Sequence, residues 1–135
     1  MENNVKFAGF TSEPWRVYSA ADLVVMSSIS EGFPYAVIEA MLCGAAIVAT
    51  DVGGVAEALG GTGSIVPANR PIELAEAIVQ MLSLTPAQRT AIGQKSRDRA
   101  LDLFTLEKCI QTHFELYQQL IRQARISELK LHGKS

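Results

Sequence analysis

Residues 27–54 read SSISEGFPYAVIEAMLCGAAIVATDVGG and carry the pattern that decides the fold. A Gly-Phe-Pro loop leads from Glu31 into an apolar segment that starts at Pro34 and ends at Gly44. Proline is favoured in the first turn of a helix and glycine just after its last turn, so this segment is predicted to be helical. The apolar run at residues 46–49 lacks polar alternation, which is typical of a strand buried on both faces.

The same alternation of strand and helix signals continues along the rest of the chain. Strands are predicted at residues 5–7 (Val5-Lys6-Phe7), 23–26, 46–49 and 64–66. Helices are predicted to start at or near Pro14, Pro34, Gly54, Pro71 and Pro86, with a break around Phe104 and Thr105 before a last helix. We therefore expect an α/β fold, a Rossmann-like parallel sheet of about four strands flanked by helices.

The last helical segment carries apolar residues at helical spacing. They are Leu106, Cys109, Ile110, Phe114, Tyr117, Leu120 and Ile121. Such a stripe is typical of a helix face that packs on a core. Residues 126–135 are more polar and are predicted to fray. We therefore take residues 1–125 as one domain and residues 126–135 as a polar tail.

Composition limits the classes of function. The chain has 135 residues, 48% hydrophobic and 19% charged, which suits one compact domain. A formal net charge of -2 without a long basic run argues against a nucleic-acid partner. No apolar stretch approaches the roughly 20 residues that span a bilayer, and no signal-peptide pattern opens the chain, so we expect a cytoplasmic protein without a transmembrane segment. Cys43 and Cys109 are expected to be buried free thiols.

Residues 31–39 form the candidate binding segment. In an open α/β sheet the loops at the carboxyl ends of the strands form the ligand crevice, which puts Glu31 and Asp51 on its rim. The loop at residues 32–35 precedes a helix, and the unpaired N–H groups and positive dipole of a helix start suit an anion such as a diphosphate. Glu39 lies about 7.5 Å farther along the helix axis than Pro34. The two glutamates are therefore predicted to bind different polyol groups.

Each glutamate also has an ordinary explanation when taken singly. Glu31 is compatible with a solvated loop residue, and Glu39 with an exposed helix residue. The combination is more specific: an apolar strand, Glu-Gly-Phe-Pro, a second Glu eight residues after the first, Ala-Met-x-Cys-Gly, and a strand that ends in Thr-Asp-Val-Gly-Gly.

Other classes of ligand site lack their sequence motifs. The Gly-x-Gly-x-x-Gly string of dinucleotide-binding dehydrogenases and the Gly-x4-Gly-Lys-Ser/Thr string of phosphate-loop proteins are both absent. There is no Asp-x-Asp motif, and His113 and His132 have no partners at metal-ligand spacing. We expect no metal and no other cofactor.

The combined pattern resembles the donor-binding signature of retaining GT-B glycosyltransferases, called group 1 or family 4, whose C-terminal domain carries Glu-x7-Glu and then a Gly-rich turn. Glu31 and Glu39 match the two acids. The resemblance covers nearly the whole chain apart from its polar end, and includes VKFAGF at residues 5–10, YSAAD at residues 18–22 and FTLE at residues 104–107. It departs at Ala56 and Leu106, where the family commonly has Pro and Trp.

The resemblance implies roles for individual residues. Glu31 would bind the hydroxyls of the donor sugar as the candidate catalytic residue, and Glu39 would hold the ribose hydroxyls of the nucleotide. The implied donor-binding residues are Gly32, Phe33, Pro34, Tyr35 and Glu39. The implied reaction is hexosyl transfer from a nucleotide-diphosphate sugar to an acceptor hydroxyl, with retention of configuration.

The resemblance also predicts a truncated domain. In the family, an Arg and a Lys that neutralise the diphosphate precede the part matched by this chain, and the nearest cations, Lys6 and Arg16, do not fit that motif. We therefore expect weak binding of nucleotide sugar, no activity of the chain alone, and self-association through an exposed sheet edge or the last helix. The alternative is a non-catalytic domain that binds a nucleotide or a partner subunit and completes an enzyme in trans.

Overall fold

A computed structural model describes the backbone of residues 4–132 and the side chains of residues 4–125. The chain divides into two compact units, Met1–Ala100 and Leu101–Ser135. The elements in chain order are α1 (Pro14–Ala20), β1 (Val24–Met26), α2 (Tyr35–Leu42), β2 (Ile47–Asp51), α3 (Val55–Leu59), β3 (Ser64–Pro67), α4 (Pro71–Ser83), α5 (Pro86–Leu103) and α6 (Leu106–His132). The predicted helices and three of the predicted strands are confirmed.

The three strands form one parallel sheet in the order β1-β2-β3. Val25 is paired in register with Val48, and Ala49 with Ile65. In the central strand, Ile47, Val48 and Ala49 are all fully buried. Because successive side chains of a strand point to opposite faces, both faces of β2 are covered. The predicted α/β class with a parallel sheet is therefore confirmed.

Helices pack on both faces of this sheet. On one face, Val48 and Val66 form a buried cluster with Ala77 and Met81 of α4. The opposite face of β2 contacts α2 and α3. The largest buried side chains of these two helices are Val37, Met41, Val55 and Leu59. Full burial of one such side chain contributes about 1.5–3 kcal/mol, so these two layers hold the sheet between them.

Residues 5–7 are not a strand, although their apolar run predicts one. Val5 is 62% exposed and Phe7 is 95% exposed. A strand needs a neighbouring backbone to pair its N–H and C=O groups. Within residues 4–132, the sheet contains β1, β2 and β3, and no strand pairs with β1 on the side away from β2. The described sheet therefore has three strands where about four were expected.

The apolar stripe of α6 is exposed, so the expected core packing is wrong for this helix. Its large apolar side chains are 49% to 70% exposed: Leu106, Ile110, Phe114, Leu116, Tyr117, Leu120 and Ile121. Helical spacing identifies the apolar face of a helix but not what covers that face. Cys109 is a free thiol but exposed, while free Cys43 is partly buried. The helix continues to His132, residues 133–135 lie outside the described residues, and the boundary after residue 125 stays a prediction.

Arginines of α5 bind the carboxyl ends of other helices. The last carbonyl groups of a helix have no partner within it, and positive charge is favourable there. Arg89 donates to two carbonyl oxygens at the end of α4, at 2.5 and 3.1 Å. Arg99 donates to two carbonyl oxygens of α3, at 2.8 and 2.9 Å, and Arg97 donates to the last carbonyl of α2. One helix thus caps three others.

Glycines set the contact between the end of α2 and α5. Gly44 has φ of 71°, the left-handed conformation, directly after the C-cap residue Cys43. The predicted glycine stop of this helix is therefore confirmed. Gly93 of α5 lies so close that a Cβ atom there would overlap the Gly44 carbonyl. Gly44 is required by its backbone conformation and Gly93 by the lack of space.

Substitution of either glycine is expected to destabilise the fold. Gly44→Val forces a β-branched residue into the left-handed region and should lower the free energy of unfolding by about 1 kcal/mol or more. Gly93→Ala should lower it by about 1–3 kcal/mol because α5 must shift, although alanine is favoured over glycine in an open helix. Urea unfolding followed by circular dichroism measures both changes, with exposed Gln94→Ala as the control. Unchanged stability of Gly44→Val would remove the left-handed assignment.

Candidate functional site

Glu31 lies in the loop that joins the carboxyl end of β1 to α2. Ser28 Oγ donates a hydrogen bond of 2.7 Å to Glu31 Oε1. The Glu31 side chain is half-buried, so it is held by the protein and still reachable from solvent. A carboxylate has about four lone-pair positions, and one bond to Ser28 leaves capacity to accept further hydrogen bonds from a ligand.

Thr50 connects this loop to the central strand. Its Oγ1 lies 2.6 Å from the carbonyl oxygen of Ser28 and 3.4 Å from that of Met26. Thr50 is only 4% exposed, so its hydroxyl donates this hydrogen bond in a largely desolvated environment. The backbone of Ser28 is thereby fixed to β2, while the Ser28 hydroxyl fixes Glu31.

The loop after β2 packs directly on the Glu31 loop. Gly53 has φ of 52°, and a Cβ atom there would overlap the carbonyl of Glu31 and lie 3.0 Å from that of Gly32. Asp51, the last residue of β2, is exposed. The carboxyl ends of the parallel strands β1 and β2 lie at the same edge of the sheet, and the two loops that leave them form the rim predicted for Glu31 and Asp51.

The amino end of α2 has fewer free donors than an open helix start. The N–H of Tyr35 donates to the carbonyl of Phe33, and the N–H of Val37 donates to the carbonyl of Pro34, each at 3.0 Å. No side chain caps this end. Gly32 is exposed, and the space that a Cβ would occupy there is open, so a ligand can approach its backbone closely.

Phe33 and Tyr35 lie on the outside of this loop. Their rings contact each other edge to face, with centroids 5.1 Å apart and planes at 72°. Phe33 is 53% exposed and Tyr35 is 70% exposed. Edge-to-face contact is a favoured arrangement of two aromatic rings, so the pair stiffens the loop while leaving apolar surface open beside Gly32.

Glu39 lies in a different part of the fold. It is exposed on α2, and α2 packs against α1. The Tyr18 side chain of α1 is near enough to feel the charge of the Glu39 carboxylate. Burial of the phenol and, after it, the negative charge of Glu39 raise the pKa of Tyr18 above its usual value of 10.0, because both disfavour the phenolate. Glu31 and Glu39 therefore lie in different surroundings.

Several residues of this region are not singled out by sequence reasoning. They are Tyr18, Ser28, Thr50 and Gly53. Ser28 and Thr50 are polar residues at the ends of apolar strands, which is a usable signal, because such positions face the ligand edge of a parallel sheet. Tyr18 gives no comparable local signal, since its proximity to Glu39 depends on the packing of two helices.

Several surface cavities of the described part of unit Met1–Ala100 lie outside the candidate binding segment. Three surface cavities, of about 130, 280 and 590 Å³, are lined by other residues, among them Arg89, Lys95 and Val79 respectively. Arg16 forms an ion pair of 3.2 Å with Glu13, the N-cap residue of α1. Glu31, Glu39 and Asp51 give the candidate site an acidic character.

The described residues contain neither a cluster of metal ligands nor a helix that could span a membrane. Among the side chains of residues 4–125, no group of three or more His, Cys, Asp or Glu residues is arranged to hold a metal ion. None of the helices, over the part of the chain that the structure describes, has the length and apolar character needed to cross a bilayer.

Thr50→Val is expected to loosen the rim without removing either glutamate. Valine has a similar shape but cannot donate to the Ser28 carbonyl, and loss of such a buried hydrogen bond costs about 1–3 kcal/mol. Urea unfolding measures the loss. Thr90→Val, at an exposed position of α5, makes the same change of atoms and should alter stability by less than about 0.5 kcal/mol. Equal effects of the two substitutions would contradict the role of Thr50.

Known proteins are similar to most of this chain. N-acetyl-alpha-D-glucosaminyl L-malate synthase of Bacillus anthracis is 27% identical over 124 residues, which cover 90% of this chain and 32% of that protein. D-inositol 3-phosphate glycosyltransferase of Pseudarthrobacter chlorophenolicus is 40% identical over 85 residues, which cover 62% of this chain and 20% of that protein. The chain thus spans about a third or less of the length of these curated relatives.

Solved structures share the fold. HepE of Anabaena in complex with UDP has a TM-score of 0.80 and 30% identity, over 87% of this chain and 33% of HepE. HepE in complex with UDP-glucose gives a TM-score of 0.77 and 32% identity. The family model described as glycosyl transferases group 1 matches residues 1–84, more than half of the sequence. The chain therefore belongs to the group 1 glycosyltransferases, and its described part has the parallel α/β fold of their GT-B domains.

Proposed function

We propose that this chain is the nucleotide-sugar-binding part of a glycosyltransferase that transfers a hexosyl group to an acceptor hydroxyl with retention of configuration. One observation carries the proposal: Ser28 fixes the Glu31 carboxylate at the edge where the loops after β1 and β2 meet. A fixed, accessible acceptor at this edge suits the hydroxyls of a sugar. Membership of the glycosyltransferase family supports the same class of substrate.

The proposed roles differ for the two glutamates. Glu31 is the candidate catalytic residue, which binds hydroxyls of the donor sugar, and Glu39 binds the ribose of the nucleotide. The loop between them lines the sugar and diphosphate through Gly32, Phe33, Pro34 and Tyr35. HepE, the structural neighbour solved with UDP and with UDP-glucose, supports UDP as the first nucleotide to test.

The charge of the leaving diphosphate limits what the chain does alone. Stabilisation of such charge is a large catalytic contribution in transfer reactions. The positive end of the α2 dipole faces the loop, but the N–H of Tyr35 is already engaged with Phe33. Arg16 is paired with Glu13. We therefore propose weak donor binding and undetectable sugar transfer by the 135 residues alone.

Calorimetric titration with UDP, GDP, ADP and their glucose conjugates tests the donor site. We expect weak, saturable binding of one nucleotide, and a loss of about tenfold or more in affinity for Glu39→Ala, because hydrogen bonds to a charged group contribute about 1.5–3 kcal/mol. Glu31→Ala should weaken the sugar conjugate more than the free nucleotide. Glu76→Ala, an exposed glutamate of α4, is the matched control. A folded chain that binds none of these ligands would contradict the proposal.

A second candidate function is a non-catalytic domain that binds a nucleotide or a partner subunit and completes an enzyme in trans. The observation that favours it is the exposed apolar surface near the start of the described chain, where Phe7 and Phe10 are both 95% exposed. Exposed aromatic residues of this kind mark surfaces that bind other proteins. Sugar transfer that needs a second polypeptide would favour this candidate over the first.

We also propose that a second copy of the chain covers the free edge of β1 or the stripe of α6. The N–H of Val24 donates to Ala46 beside β2. In a parallel strand alternate residues bond to opposite neighbours, so the backbone groups of Val25 face the free edge. Such an edge is a template for pairing with another chain, and the α6 stripe is a separate apolar surface. Both surfaces are self-complementary in a two-fold dimer.

Light scattering after gel filtration, over a range of protein concentrations, tests self-association. Val25→Pro removes the free-edge N–H and should abolish a dimer formed through the sheet. Phe114→Glu places a charge in the stripe and should abolish a dimer formed through α6, whereas exposed Gln119→Glu should not. Circular dichroism verifies that each variant is folded. A natural chain that stays monomeric at every concentration would contradict the proposal.

A further inference from the structure

The α4 helix is apolar on two faces. One face, with Ala77 and Met81, packs on the sheet. A second apolar row runs along the opposite side of the helix at steps of three, four and three residues. The members of this α4 row are Ile72, Ala75, Val79 and Leu82. Ile72, Val79 and Leu82 are 74%, 67% and 46% exposed. The row is therefore apolar surface that the sheet does not use.

The α4 row lines a surface groove. The groove has a volume of about 590 Å³, and the residues around it are Pro71, Ile72, Ala75, Glu76, Val79 and Gln80. Alternating steps of three and four along one helix face are the spacing at which the side chains of two helices interdigitate. Among the ligands that an apolar groove can take, this spacing favours the apolar face of another helix.

The charges beside the groove narrow the choice of occupant further. Glu76 borders the groove, and α4 has no Lys or Arg between Pro71 and Ser83. The carboxylate of Glu73 lies 3.9 Å from the guanidinium of Arg70, at the amino end of the helix. An acidic border repels an anionic lipid surface and attracts a helix that carries basic residues beside its apolar face.

The α6 stripe has the complementary features. Its aromatic members Phe114 and Tyr117 are both 60% exposed. Arg125 is exposed and follows Ile121 by four residues, which puts it at the border of the stripe. From residue 118 to residue 125, α6 contains two arginines and no Asp or Glu. The basic part of the stripe therefore lies toward the carboxyl end of α6, whereas the acidic residues of α4 lie toward its amino end.

We propose that the α4 groove of one copy receives the α6 stripe of a second copy, with the two helices antiparallel and Arg125 beside Glu76. The antiparallel direction puts the basic end of the stripe against the acidic start of α4. Both surfaces occur in every copy, so two-fold symmetry forms the contact twice and doubles the area that one helix pair buries. The proposal deepens the proposed self-association and rests on it, because it names the surface that covers the α6 stripe.

Cysteine cross-linking between two distinguishable copies tests which surfaces meet. Both copies carry Cys43→Ser and Cys109→Ser, which remove the natural thiols. One copy also carries Val79→Cys, and the other, made longer by a terminal tag, carries Leu120→Cys. A short bismaleimide is expected to link the long copy to the short one, because the two positions lie on facing surfaces. Few links are expected between two long copies or between two short copies.

The control pair measures links that form by chance collision. In it, Gln94→Cys, at an exposed position of α5, replaces Val79→Cys. A mixed product no more abundant than in this control would overturn the proposal. A dominant link between two α4 variants or between two α6 variants would also overturn it. In the double variant Val79→Cys/Leu120→Cys, a link within a monomer would make the chain's own α6 the occupant and exclude the second copy.

Charge reversal tests the antiparallel direction, with the dissociation constant of the dimer measured by light scattering over a range of concentrations. Glu76→Arg and Arg125→Glu are each expected to weaken the dimer about twofold to thirtyfold, the range of an exposed ion pair that occurs twice. The double variant Glu76→Arg/Arg125→Glu should associate nearly as well as the natural chain, because the pair is restored with its signs exchanged. Glu115→Arg, on the side of α6 opposite Tyr117, makes the same reversal and should have little effect.

The outcomes keep the two proposals apart, once circular dichroism has verified that each variant is folded. Dimers that cross-link through like surfaces, or losses that add in the double charge reversal, would overturn the α4 groove as the receiving surface and leave self-association standing. A natural chain that stays monomeric at every concentration would overturn both.

Discussion

The described fold depends on the burial of β2 on both faces between two parallel neighbours. Ile47, Val48 and Ala49 reach full burial only if helices lie above and below the sheet, and the chain supplies them as the crossovers that parallel strands require. Each crossover returns the chain to the same end of the sheet. The loops that leave β1 and β2 therefore meet at one edge, and the location of Glu31 follows from the sheet rather than from the helices that cover it.

Local signals in the sequence predict the helices well. Pro14, Pro71 and Pro86 start helices, and Gly44 ends one, because each of these residues favours its position by its own backbone geometry. The strand predicted at residues 5–7 and the burial predicted for the α6 stripe are wrong for a different reason. Strand formation and burial both require a neighbouring surface. A short apolar pattern does not show whether the fold supplies that surface.

The candidate site, too, could be predicted from the sequence only in part. Glu31 and Glu39 could be predicted from the motif at residues 31–39, and the structure puts them on the loop and the helix expected of them. The surroundings of these residues could not be predicted, because Thr50 of β2 contacts Ser28 after β1, and Tyr18 of α1 lies near Glu39 of α2. The motif at residues 31–39 contains the residues proposed to face a ligand. The groups that surround those residues come from other parts of the chain.

The arginines of α5 lie beyond residue 84, where the match to the family model ends. Their partners are carbonyl groups at the ends of α2, α3 and α4, which have no partner within their own helices. The segment that the family model matches therefore leaves out the helix whose arginines bind the ends of α2, α3 and α4. A version shortened at residue 84 would keep the candidate site and lose these contacts at the ends of α2, α3 and α4, so the proposed site depends on a helix outside the matched segment.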